Sequence, residues 1–111
     1  MVAEAELLPG TLDLLILKST SLGAEHGYGI LLRIQQITGG ALTIEQGALY
    51  PALARLEHQG FLDAEWGTSE NNRKAKYYTL TSSGRKRLRE ETERWNRTAA
   101  AMMAALRTQE V

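Results

Sequence analysis

The C-terminal stretch "SSGRKRLREETERWNRTAAAMMAALRTQ" limits the possible folds more than any other part of the chain. It continues for about 26 residues without a proline and as a helix would reach roughly 39 Å, longer than a small domain needs for itself. Leu88, Thr92, Trp95, Ala99, Met102 and Leu106 follow one another at alternating steps of four and three, which is a heptad seam. Left open, such a stripe is an aggregation liability. We therefore expect Thr81 to cap a last helix that packs on the first helix and on a twofold mate.

The rest of the chain is enough for one modest domain, with 111 residues of which 43% are hydrophobic. Asp13 and Lys18 bracket the longest apolar run, "LLILK", so no membrane span is expected. The first residues, "MVAEAELLPG", are acidic and lack a basic leader, so a cytoplasmic protein is expected. Zero cysteines exclude a disulfide scaffold and any thiolate metal site. His26 and His58 fall at a loop and a helix end without ligand-spaced neighbours, and read as surface or capping residues. No enzyme activity, metal or cofactor is expected.

Along the chain, Leu12, Leu15, Ile16 and Leu22, widened by Leu14 and Leu17, mark a first helix from Thr11 to Leu22, between Pro9–Gly10 and Gly23. A second helix starts near Gly27 with Ile30, Leu31, Ile34 and Ile37 as its stripe, and stops at Gly39–Gly40. The short "ALTI" has strand character for a one-rung pairing. Thr43 and Gln46 fit a capping box for a third helix that ends at His58, with Gly60 as its C-cap. Pro51 conflicts with a regular start and predicts a distorted or kinked first turn. "FLDAEW" and "AKYYTL" alternate as two half-buried strands joined by the long tip "GTSENNRKAK".

The fold class is thus mainly α with a small β hairpin. Helix, helix, turn, third helix and basic-tipped hairpin is the order of a winged helix-turn-helix followed by a long C-terminal helix. In that geometry the third helix enters the major groove of DNA. Gly47 and Ala48 keep its start free of bulk, Gln46 suits an adenine edge, and Tyr50 suits a phosphate or a thymine methyl. Singly, Tyr50 reads equally as a half-buried core aromatic and Gly47 as a simple cap.

Net charge is zero, yet residues 67–111 hold ten basic and five acidic side chains against three and eight in residues 1–66. Taken alone, the asymmetry reads first as a solvated charged face. Arg73, Lys74 and Lys76 at and after the hairpin tip add the second reading, a phosphate-binding wing. Arg73 also suits an adjacent minor groove.

The runs "LLPGTLDLLILKSTSLGAEHGYGI", "GALYPALARLEHQGFLDAEW" and "RKAKYYTLTSSGRKRL" closely resemble the PadR family of bacterial transcriptional regulators, from about Leu7 to Trp95. The resemblance implies a homodimer, a DNA-binding domain over residues 1–80 and a dimerisation helix over residues 81–111, as in short members. It implies operator repression relieved by a small hydrophobic or aromatic effector. By position it assigns Gly47, Ala48 and Tyr50 to DNA contact and Tyr28 of "HGYGI" to backbone phosphate. Arg73, Lys74 and Lys76 go to the wing, with Tyr77 assisting. Short relatives use an aromatic at the position of Trp95 to line a ligand pore. Ordinary interface filling is the preferred reading here, because Ala99, not a carboxylate, follows one turn later. A winged helix serving only protein interaction is the alternative. It has no need of a basic tip beside a helix start cleared of bulk.

Overall fold

Three short helices can bury their apolar stripes only against one another and against a sheet, and the chain does so. The computed structural model describes residues 10–111; Pro9, expected to punctuate the first helix, lies outside them. Helix α1 is Thr11–Ser21, strand β1 Glu25–His26, helix α2 Gly27–Ile37 and helix α3 Gln46–His58. Strands β2 (Leu62–Thr68) and β3 (Lys74–Leu80) and the long helix α4 (Ser82–Arg107) complete the chain. Ile16 and Leu17 of α1 meet Ile30 and Ile34 of α2 and Leu49, Ala52, Leu53 and Leu56 of α3. Leu62 and Tyr78 close this core from the sheet. Each fully buried Leu or Ile among them contributes about 1.5–3 kcal/mol through the water it sheds. Leu22 and Ile37, expected on the buried stripes, lie at the far ends of their helices and stay exposed.

The sheet has three strands in the order β1-β3-β2, all antiparallel. Sequence reading expected only the hairpin and placed a one-rung strand at Ala41–Ile44. The structure puts that rung earlier, at Glu25 and His26, which pair with Tyr78 and Tyr77. With β2 on its other side, β3 then has no free edge for "ALTI". That segment instead stays irregular and inserts Ile44 into the core.

Burial of Ile44 also explains why the expected capping box fails. The chain must remain extended through Ile44, so α3 starts at Gln46 with Glu45 as its N-cap and no side-chain cap. The first turn is tightened, with the amides of Ala48 and Leu49 both donating to the Glu45 carbonyl. Pro51 lies inside an unbroken helix rather than at a break. It and Gly47 are both exposed, so water can satisfy the carbonyl that Pro51 leaves without a donor. At the other end Gly60 (φ 82°) follows the C-cap Gln59 rather than forming it. The Phe61 amide reaches back to the Leu56 carbonyl and the Gly60 amide to Glu57, a Schellman closure.

That closure also docks α4. Thr81 caps α4 by accepting from the Gly84 amide at 3.0 Å, while its own hydroxyl donates to the Gly60 carbonyl at 2.7 Å. The Thr81 amide donates to the Phe61 carbonyl at 3.1 Å. Gly84 is buried against the same carbonyl, and a Cβ there would come within 2.2 Å of it. The first half of α4 thus lies on α1 and brings Leu88 onto the chain's own core. Its second half extends past the domain, giving a molecule 60 Å long and 21 Å thin. From Ala100 on, every side chain is exposed, Leu106 at 79%. Replacing Gly84 by Ala should cost about 1–3 kcal/mol in urea unfolding, because backbone, not a flexible side chain, must give way. Unchanged stability would show that α4 is not seated on Phe61.

Candidate nucleic-acid interface

The start of α2 shows how backbone chemistry positions exposed side chains. His26 is its N-cap, the ring Nδ1 accepting from the Gly29 amide at 3.0 Å; a neutral ring with its proton on Nε2 does this. The Glu25 carboxylate accepts from the His26 amide at 2.9 Å and lies 3.5 Å from Arg33. Arg33 in turn donates to the carbonyls of Ser19 (2.9 Å) and Gly23 (2.8 Å), tying the α1–α2 corner together. The two glycines of "HGYG" leave room for the side chains beside them. A Cβ on Gly29 would overlap the Glu25 side chain at 2.2 Å, and one on Gly27 would come within 2.6 Å of the Tyr50 ring. Tyr50 of α3 therefore lies across the first residue of α2, beside Tyr28. Both phenols remain open to solvent, at 48% and 52%.

The wing closes the other side. Its tip is anchored by the Ser69 amide donating to the Arg73 carbonyl (2.8 Å) and by Asn72 in a left-handed conformation (φ 56°). Register places Trp66 opposite Lys76 and Thr68 opposite Lys74, on the same side of the sheet as buried Tyr78. Together these residues enclose a groove of about 790 Å³ lined by Tyr28, Tyr50, Trp66, Arg73, Lys74 and Lys76 among others. Five residues singled out from sequence thus meet on one concave surface. Gln46, Gly47 and Ala48 are exposed on the first turn of α3, outside that lining, and a Cβ on Gly47 would touch nothing.

Two wing residues take parts that the sequence did not reveal. The Lys76 ammonium donates to Glu57 of α3 at 2.8 Å, so it fixes the wing to the helix. That bond holds Lys76 above the ordinary lysine value. With a raised value, the Lys76 charge and its contribution are fully present at neutral pH and are lost as pH rises into strong alkali. Burial likewise pushes the Tyr78 phenol up. Tyr77 is on the opposite side of the sheet. Its hydroxyl donates to the Thr68 carbonyl at 3.0 Å and its ring meets the His26 ring edge-on, so it braces the wing from behind. Arg73 and Lys74 are exposed and form no ion pair among the described residues; Glu70 lines the same groove.

Trp66, Gly27 and Glu57 were missed from sequence. Alternation alone expected Trp66 to be half-buried, but the core ends at Ala64 and leaves it 61% exposed. The available signal was an aromatic facing two lysines across the register. Replacing His26 by Ala should destabilise the chain by about 1 kcal/mol, and Asn, which caps equally well, should restore most of it. Equal losses in both variants, measured by urea unfolding, would show that the imidazole acts otherwise than as a cap.

Similarity to known proteins agrees with this geometry. A model of the transcriptional regulator PadR-like family matches residues 16–90. An uncharacterized protein of Lysinibacillus sphaericus is 30% identical over 94 residues, 85% of this chain and 86% of its own. A transcriptional regulator from Clostridium thermocellum superposes with a TM-score of 0.77 at 30% identity, over 86% of this chain and 92% of that one. A PadR family transcriptional regulator from Eggerthella lenta gives 0.75 at 31% identity, over 90% and 85%. Having the winged helix-turn-helix fold, the groove and the matching family model, this chain belongs to the PadR-like family of transcriptional regulators, which are not enzymes.

Proposed function

We propose that this regulator is a homodimeric repressor that binds an inverted-repeat operator in double-stranded DNA, using residues 1–80 for DNA and 81–111 for dimerisation. The observation that carries the reading is the convergence of Tyr28, Tyr50, Arg73 and Lys74 on one open groove beside the uncrowded start of α3. A duplex backbone needs cations and hydroxyl donors spaced along a concave wall, and base edges need a helix start without bulk. Gln46 and Ala48 face the bases in this reading, and Gly47 lets the backbone approach. A module for protein contacts alone gives no reason for unpaired cations on that rim.

The exposed half of α4 supplies the second copy. Met102 and Leu106 continue the heptad beyond the domain and are exposed, while Trp95 and Ala99 lie earlier on the same stripe, Trp95 beside Leu14 of α1; in this reading a partner helix covers the stripe. Leu88, though in phase with them, is spent on the chain's own core. Two recognition helices then lie about 34 Å apart, one turn of DNA. The finer part of the reading is relief of repression by a hydrophobic or aromatic small molecule at Trp95. It rests on a cleft of about 300 Å³ where Trp95 meets Leu14, Glu91 and Thr98. Glu91 is the carboxylate there, but it is shared with Arg87 and Arg94. Filling of the seam by Trp95 remains the simpler role.

Neutralising Arg73 and Lys74 together should lower the salt dependence of duplex binding, by about one unit of slope for each phosphate left without its cation. Lys76→Gln should change it less, since Glu57 already holds that charge. Equal slopes in wild type and the Arg73/Lys74 variant would remove the wing from the backbone. Replacing Met102 and Leu106 by Glu should give monomers in sedimentation. A dimer persisting at low micromolar concentration would contradict the seam.

A further inference from the structure

Trp66 is more exposed than any other aromatic side chain among the described residues. The hairpin does not need it there, since the core closes at Leu62, Ala64 and Tyr78. Pairing opposite Lys76 places it on the groove side, with Tyr50 and Tyr28 on the facing wall. The Lys74 ammonium sits 5.0 Å from its ring centroid, within the range in which an indole face attracts a cation. Lys74 is thereby held against the wing and is not spent on a carboxylate, unlike Lys76 with Glu57.

We propose that Trp66 is a DNA-contact and positioning residue. It presents the Lys74 ammonium to a backbone phosphate and lays its own free edge on the adjoining deoxyribose. A duplex strand alternates anionic phosphate with apolar sugar, so a cation on an indole face matches one such repeat, and Arg73 beyond it at the wing tip matches the next phosphate. The pair supplies position rather than sequence information. This inference rests on the DNA-binding reading above.

The chain has two tryptophans, so Trp95→Phe leaves Trp66 as the sole indole reporter. Where that change disturbs assembly, the difference between wild-type and Trp66→Phe emission isolates the same signal. The probe is a duplex of about 30 base pairs, three turns, recovered by the wild-type protein from a random library. Saturation should protect Trp66 from acrylamide quenching. Trp66→Ala should weaken binding about tenfold, the scale of one cation-held aromatic contact, with unchanged melting temperature. Lys74→Gln should cost less in the Trp66→Ala background than alone. Quenching of Trp66 that is unchanged by saturating duplex, or wild-type affinity in Trp66→Ala, overturns the inference while leaving the regulator a DNA binder. Absence of quenching protection together with Trp66-dependent capture of a second protein would reassign the indole to a protein contact. Failure of the wild-type chain to recover any duplex overturns the DNA-binding reading itself.

Discussion

The Phe61 carbonyl accepts the Thr81 amide at 3.1 Å, and Gly84 packs against it with no room for a Cβ. Its own amide closes the end of α3. The backbone of one residue, Phe61, is therefore shared by the end of α3, the base of the wing and the start of the long helix. Thr81 and Ser83 strengthen it by donating to the Gly60 carbonyl at 2.7 and 2.9 Å. A backbone junction of this kind transmits position well, because it has no rotamers to relax. The groove walls and the long helix are thus joined through one backbone junction.

On the groove itself, charge and apolar surface are divided between elements. The helices contribute phenols, Tyr28 and Tyr50, kept in place by missing side chains at Gly27 and by the His26 cap. The wing contributes cations and an indole. Lys76–Glu57 ties the wing to α3 at 2.8 Å. Such a surface suits a polyanion whose charges are separated by sugar, since neither an all-cationic nor an all-apolar wall would match both parts of the repeat.

Much of this was legible in the sequence because it follows from periodicity and punctuation. The four helices, the hairpin and the basic wing tip rest on apolar spacing, glycine stops and basic clustering, whereas Tyr28 was placed beside Tyr50 and the wing only by the family resemblance. What escaped was set by tertiary competition. Thr43 and Gln46 have the pattern of a capping box, but Ile44 between them is demanded by the core, and burial outweighs a cap. "ALTI" has strand propensity but no free edge to join, because Glu25–His26 occupies it. Two residues without a strand-like pattern gave no signal of their own. Tyr77 and Lys76 alternate correctly, yet which face is the groove depends on where α3 lies, and that is a property of the whole fold. Leu88 keeps the heptad phase, but phase does not tell whether a residue faces its own chain or another.

The most direct test of the central claim is amide hydrogen exchange of the full chain, free and saturated with a duplex it has selected. The account predicts added protection confined to three segments, around Tyr28, Gln46–Tyr50 and Trp66–Lys76, with α4 unchanged. Protection restricted to α4, or none at the wing and the start of α3, would contradict it.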